Sequence, residues 1–511
     1  MLPRRMAGPP IPFSPIPLSP ARPSPAGREA PATGLPLPGL PLSGLAAALP
    51  APSRSYPEPV YPGPSLIFLD NPMRRFAALL LGFYLALHAS YISEFLIVHL
   101  GVSLPVVAFS GIMVIASYVF IGRVGRFFQS SVSVPFFLML VWWLLAAGIF
   151  SYKGYLIEMA EYAIRFHTAP LVFCGILLSL SLVRTAMTGY AWGFVINLIF
   201  AWRYGTPDAD GRFHVAGTSM SNPNDLALNL LFGVAFMTIF LVDSNLIKRV
   251  FWLCCTLVSL LFVLRTGSRA NLLALLAMTI MACIVSSGRV RAMVVAGSLL
   301  IMLILIAVLP RSTWTRLTTF TSASSEDLAG EGHLEGAIGS TEARKNLQVR
   351  AIKITLANPI FGVGPKMFPY ALDGYMRVQE NQAKGTWQVP HNTYLDISAE
   401  TGLPGAALYI GVIIWCLRSN YRNVRWAQLW PEASGQALGN STALMLATVA
   451  YSFGTLFVSI PFLFQLPFLV GLTAANSIAM REAGLQRYPA PRAAAPVNLP
   501  LVPLPAFGPA R

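Results

Sequence analysis

Apolar runs of 16 to 20 or more residues recur along most of this chain, and no other feature restricts its fold as strongly. A run of that length crosses the roughly 30 Å hydrocarbon core of a bilayer as a helix. Lipid offers no hydrogen bonds to an open backbone, so only helices and closed barrels span it. The ten-residue alternation expected of barrel strands is missing from the sequence. Composition agrees: 11% of residues are charged and mean hydropathy is +0.60, against about 25% charged residues in a soluble domain. The expected fold class is all-α, a polytopic integral membrane protein with about twelve transmembrane helices and a large outward loop containing helices. The spans read near 76–98, 102–122, 132–150, 169–183, 186–202, 224–243, 250–264, 270–287, 292–309, 401–417, 440–459 and 462–480.

The formal net charge of +15 does not call for nucleic acid. Arg74 and Arg75, Arg123 and Arg126, Arg184, Lys248 and Arg249, Arg289 and Arg291, Arg418, Arg422 and Arg425, and Arg481 fall in every second gap between spans. That is the positive-inside pattern, and it predicts cytoplasmic termini at both ends. The five cysteines, Cys174, Cys254, Cys255, Cys283 and Cys416, all lie in spans, which reads as packing rather than disulfide chemistry.

Residues 1–72 form a Pro-rich leader, with 19 of the 41 prolines before residue 65, and 483–511 form a Pro/Ala-rich tail. Both read as disordered. Met73 followed by Arg74-Arg75 and an apolar run reads as a translation start, and a native peptide from residues 1–64 would refute that. Transmembrane helices one to nine are expected over 73–309, a large periplasmic loop over 310–392, and helices ten to twelve over 393–482. Within the loop, 342–357 carries Arg344, Leu347, Ala351 and Ile354 on one helical face, ended by Asn358-Pro359.

Four polar elements map to the outer side: GRFHVAGTSMSNPNDLA (211–227), RTGSRANLL (265–273), the loop helix from Arg344, and PHNTYLDISAE (390–400). Arginines are least expected there, so Arg212, Arg265, Arg269 and Arg344 suggest an anionic ligand, which a guanidinium grips through its planar fork of donors. Plainer readings stand beside this one. Arg265 and Arg269 flank helix ends, where such side chains snorkel to headgroups. Arg212 is also readable as a solvated charge paired with Asp208 or Asp210. Arg350 and Lys353 lie on another face of the loop helix and read as solvated. Asn222-Pro223-Asn224-Asp225 is at least a turn and helix cap.

His391 has a neutral form near pH 7 that can accept a proton from a hydroxyl. The plainer alternative is a histidine that caps a helix. Asp396 and Glu400 share a helix face and are placed to orient His391 or an arginine. No HExxH or CxxC motif suggests a metal site, and no cofactor is expected.

Three of these stretches together resemble the O-antigen ligase superfamily, which also includes O-antigen polymerases and protein O-oligosaccharyltransferases. GTSMSNPNDLA is similar to its Gly-then-Pro-Asn entry to a span, and TGSRANLLALL to its Thr-Gly-Ser-Arg helix start. The run from Arg344 through NPIFGVG to PHNTYLDISAETGLPG is similar to its Arg…Pro-x-x-Gly-x-Gly…His-Asn-x-Tyr-Leu order. Gln348 stands where many members carry an aromatic residue, and Ala270 where Gly is common. The resemblance implies a GT-C-class transferase on the periplasmic face of the bacterial inner membrane. Its donor would be a glycan on undecaprenyl diphosphate, and its favoured acceptor a lipid A-core sugar. A second lipid-linked glycan or a protein hydroxyl are the alternatives. Carried over by position, Arg269 and Arg344 would grip the diphosphate, with Arg212 a further candidate. His391 would activate or orient the acceptor, supported by Asn392 and Tyr394. A secondary transporter, using Glu94, His88 or the Glu158/Glu161/Arg165 group, is the reading from a different class.

Overall fold

The computed structural model describes residues 72–92, 94, 121–151, 153–208, 211–242, 244–308, 332–379, 388–429 and 435–484. Residues 1–71 of the leader, 485–511 of the tail, 102–120 of the expected span 102–122, and 310–331 and 380–387 of the expected loop lie outside the described residues.

Helices dominate the described chain. They are α1 (Pro72–Ser90), α2 (Ser133–Phe150), α3 (Lys153–Tyr162), α4 (Ala169–Ile176), α5 (Leu180–Tyr204), α6 (Pro223–Met237), the short α7 (Ile239–Val242) and α8 (Leu246–Arg265). Then come α9 (Arg269–Val285), α10 (Gly288–Val308), α11 (Gly332–Ala357), α12 (Phe368–Gln379), α13 (Thr393–Leu429), α14 (Gly435–Gly454) and α15 (Gln465–Glu482). A 3₁₀ segment over Ile121–Gln129 and a π turn over Ala163–His167 join them. The strands among the described residues are two short ones, paired antiparallel with Thr206 opposite His214 and Pro207 opposite Phe213.

Four described stretches are long and apolar enough to cross a membrane: Ser133–Phe150, Pro223–Leu241, Leu246–Arg265 and Thr393–Leu429. The apolar Arg269–Val285 is shorter. Helix α2 explains why the surroundings are apolar. It buries Phe136, Met139, Trp143, Ala146 and Ala147 at helical spacing, while Val134, Phe137, Leu138, Leu145 and Ile149 stay exposed on its other side. A helix that is apolar all round and half covered by protein requires lipid on the remaining face.

Small residues let helices cross closely. Gly189 and Gly193 of α5 meet Gly82, Ala86 and Ala89 of α1, and a Cβ on Gly193 would stand 2.5 Å from the Ala86 carbonyl oxygen. This is the small-xxx-small packing of membrane helices. Helices α14 and α15 are buried along almost their whole length. Polar side chains join them to α13, where Asn420 Nδ2 donates to Thr473 Oγ1 at 3.0 Å and to Thr448 Oγ1 at 3.3 Å, and to each other, where Asn476 Nδ2 donates to Ser441 Oγ at 2.9 Å.

Several boundaries differ from expectation. The expected break near 183–186 lies at 177–179, where Ser179 caps α5 by accepting from Leu182 N–H. Arg184 therefore sits inside α5, donating to the Ile239 carbonyl at 2.9 Å and lying over the Phe240 ring. The loop helix expected at 342–357 begins at Gly332. The expected span 401–417 is part of the longer α13, which is kinked at Gly402. The five cysteines are unpaired.

Candidate functional site

The first and second polar elements are tied together at Asn224. Asn222 caps α6, its Oδ1 accepting from Asn224 N–H at 2.9 Å. The buried guanidinium of Arg212 donates from Nη2 to Asn224 Oδ1 at 3.0 Å and from Nε to the Thr266 carbonyl at 3.1 Å. Asp208 Oδ1 accepts from the backbone N–H of Arg212 at 2.7 Å. Arg212 is thus a buried clamp between elements, not the solvated surface charge of the plainer reading.

Ser268 caps α9, and Asn271 Nδ2 donates both to Ser268 Oγ at 2.9 Å and to the Asn224 carbonyl at 3.0 Å. The positive N-terminal ends of α6 and α9 are therefore held side by side, an arrangement that favours an anion. Arg269, half-buried, opens α9.

The third element docks through the apolar stripe expected for it. Leu347, Ala351 and Ile354 pack on Phe368, Leu372 and Met376 of α12 and Ala399 of α13. Arg350 Nη1 contacts Met376 Sδ, so that side chain packs on α12 instead of being simply solvated, while Lys353 is exposed and lies over the Tyr375 ring. The following GVG stretch runs along the kink in α13. Val363 N–H donates to the Ala399 carbonyl and Gly364 N–H to the Glu400 carbonyl, both at 2.9 Å, and Leu403 N–H to the Pro359 carbonyl at 2.8 Å. Gly362 (φ 68°) and Gly402 (φ 73°) face each other's backbones here, and a Cβ on either would collide with the opposing chain. These contacts fix where α11, and hence Arg344, sits.

The fourth element divides its work residue by residue. Asn392 Oδ1 accepts from the N–H groups of Tyr394 at 3.0 Å and Leu395 at 3.2 Å, so the cap of α13 is Asn392, not His391. Thr393 Oγ1 donates to the Val458 carbonyl at 2.7 Å and Tyr394 Oη to the Ser452 carbonyl at 2.8 Å, anchoring the helix start to the end of α14 and the segment after it. Glu400 does not orient His391. Its Oε1 accepts from Phe368 N–H at 3.1 Å and holds the start of α12.

His391 is left over from this scaffold. It has φ 51°, is half-buried, and its ring makes no hydrogen bond among the described residues. Burial, and then the positive charge of Arg344, hold its imidazole below the usual histidine range. Arg344 also acts electrostatically on Asp225 of α6, as does Arg212. Arg344 thus acts on both His391 and Asp225, and Arg212 on Asp225. The side chains of Asn392 and Tyr394 serve the helix start. Thr393, Asn224 and Asn271 were not singled out as site residues in the sequence. Their hydroxyl and amide types, directly beside His391, Arg212's partner turn and Arg269, were the available signal.

The carboxylates considered for transport have local partners. Glu158 pairs with Lys366 at 2.7 Å, Glu161 with Arg165 at 3.3 Å, and Glu94 accepts from Ser219 N–H at 2.9 Å and Ser219 Oγ at 2.8 Å. Among the described residues, no three His, Cys, Asp or Glu side chains group to hold a metal ion.

Residues 254–410 match the family model described as O-antigen ligase. The match includes Arg269, Arg344, His391, Asn392 and Tyr394, while Arg212 and Asp225 precede it. No curated protein matches the chain. The apolar helices indicate an integral membrane protein, and its segment 254–410 is similar to the O-antigen ligase family.

Proposed function

We propose that this protein, through its segment similar to the O-antigen ligase family, transfers a glycan from undecaprenyl diphosphate to an acceptor hydroxyl, with a lipid A-core sugar as the favoured acceptor. The observation that supports this most directly is that the half-buried His391 feels the positive charge of Arg344, both residues lying within the segment that matches the family. The acceptor oxygen attacks the anomeric carbon and forms the new glycosidic bond. The bond from that carbon to the diphosphate oxygen breaks, and its electron pair leaves with the diphosphate. His391, neutral near pH 7, takes the acceptor proton. Arg269 and Arg344 stabilise the charge that develops on the leaving group, a task fixed cations perform without a metal ion. Asn392 and Tyr394 support His391 by holding the start of α13.

The alternation of basic gaps supports cytoplasmic termini at both ends, and a site facing the periplasm across the inner membrane. Under the same reading the domains run as leader (1–72), helices one to nine (73–309), periplasmic loop (310–392), helices ten to twelve (393–482) and tail (483–511).

The test uses purified full-length protein in lipid, radiolabelled undecaprenyl-diphosphate glycan and a metal chelator. Lipid A-core and unlabelled lipid-linked glycan are offered separately. Label on lipid A-core is the expected result. Lengthened lipid-linked chains would make the protein a polymerase instead. Intact donor with neither product would overturn both assignments.

A further inference from the structure

The hairpin between α5 and α6 encloses a cavity that has no part in the chemistry described above. Its two short strands set Phe213 opposite Pro207, and Asp208 N–H donates to the Arg212 carbonyl at 2.8 Å. The buried Phe213 stacks on Phe262 of α8, with ring centroids 4.9 Å apart and planes within 3° of parallel. Gly205, just after α5, makes room for this pair, because a Cβ there would collide with the Phe213 ring. A cavity of about 290 Å³ lies against the two rings, lined also by Trp202, Pro207, Gly211 and Arg265.

The lining combines aromatic surface with one cation. Trp202 is 72% exposed. Arg265 is exposed, its guanidinium carbon lies 5.5 Å from the Phe213 ring centroid, and among the described residues it enters no hydrogen bond or ion pair. A guanidinium resting on a ring still presents donors to an anion. Arg212 of the same hairpin is committed elsewhere, to Thr266 and Asn224. A bare anion would engage Arg265 and make no use of Trp202, while a neutral apolar group would leave the cation unmatched. A sugar ring has an apolar C–H face and a polar rim, so one that carries a carboxylate or phosphate complements both parts of the lining. The volume is near the lower limit of about 300 Å³ for small-ligand cavities, which suits a single sugar unit.

We propose that this cavity is a binding subsite for one acidic sugar unit of a glycan: the ring packs on Trp202, and its anionic group accepts hydrogen bonds from the Arg265 guanidinium. The inference concerns binding alone and stands without the glycosyl-transfer reading. The two places are nonetheless neighbours, since Arg265 precedes Arg269 by four residues and their Cα atoms lie within about 14 Å.

The test titrates methyl β-D-glucuronide onto the full-length protein in phosphatidylcholine nanodiscs, read by saturation-transfer NMR. Neutral methyl β-D-glucoside and inorganic phosphate serve as competitors, and each should need about tenfold or more the concentration to displace the glucuronide. Arg265→Gln should weaken glucuronide binding about tenfold or more, as for loss of a charged hydrogen bond, and Trp202→Ala should weaken it as well. Both side chains are exposed, so thermal unfolding of the variants should coincide with wild type. Arg203→Gln is the control: this exposed arginine adjoins Trp202 but does not line the cavity, and binding should stay within about twofold. No glucuronide binding, or binding indifferent to Arg265→Gln, would overturn the inference. Displacement by phosphate at equal concentration would reduce the cavity to an anion site, and an equal loss in Arg203→Gln would reduce it to diffuse surface charge. Loss of glucuronide binding when phosphatidylglycerol replaces phosphatidylcholine would assign the cavity to a lipid headgroup instead. Glycosyl transfer, scored separately with its own donor and acceptors, stands or falls independently of each of these outcomes.

Discussion

The guanidinium of Arg212 donates through Nη2 to Oδ1 of Asn224 at 3.0 Å, both side chains buried, and so joins the loop before α6 to the first turn of that helix. Its second bond, to the Thr266 carbonyl, reaches the turn that opens α9. One side chain therefore sets the relative position of two helix N-termini. Replacing Arg212 by Ala leaves a buried carbonyl and a buried amide oxygen without these donors. A charged hydrogen bond contributes about 1.5–3 kcal/mol. Arg212→Ala should lower the thermal unfolding midpoint measured in lipid, and Arg212→Lys should recover part of it. Loss of transfer at an unchanged midpoint would instead assign Arg212 to the donor.

Removing the proposed proton acceptor or the cation that opens α9 acts on chemistry rather than folding. His391→Ala and Arg269→Ala should each abolish transfer while the protein still accumulates in the membrane. Normal transfer by both variants would retire their roles.

The pH dependence follows from Arg344. Burial and this cation both lower the His391 pKa, so the neutral imidazole persists below its ordinary value of 6.5. Transfer should fall on the acid side only below that value. Arg344→Gln removes one of the two causes, so His391 should protonate at higher pH. The acid limb of residual activity, and the His391 ring signals followed by NMR, should move upward together. A limb that stays in place would separate His391 from the pH profile.

Gly402 is the point where α13 turns against the 358–364 stretch. An L side chain in a left-handed conformation costs roughly 1–2 kcal/mol, and here the added Cβ would also strike the Ile360 carbonyl. Gly402→Ala should lower both thermal stability and transfer, because the displaced stretch carries Arg344 with it. Gly411→Ala on the same helix is the control, since a Cβ there meets nothing within 4 Å, and it should leave both unchanged.

Asn392 presents a choice between cap and ligand. Loss of an N-cap typically amounts to about 1 kcal/mol, so Asn392→Ala should unfold earlier while Asn392→Asp and Asn392→Ser should not. Transfer that follows stability across the three variants assigns Asn392 to the helix start. Transfer lost in all three at native stability assigns it to substrate.

By itself the sequence determined the helical membrane class, the apolar stripe Leu347, Ala351 and Ile354, and the Asn222 and Ser268 helix starts, because length, periodicity and capping act within a few residues. It also singled out His391 and Arg344 as unexpected polar groups between apolar runs. It misplaced the α4–α5 break, since a basic residue after an apolar run reads as a helix end. Arg184 instead reaches a carbonyl and a ring on another element. Only the tertiary structure decided that Arg212 is a clamp, that Asn392 rather than His391 caps α13, and that Glu400 serves α12. Each of those outcomes depends on which donors and acceptors distant segments bring within reach. A hydrogen bond is satisfied by proximity in space, and local spacing along a chain carries no record of that.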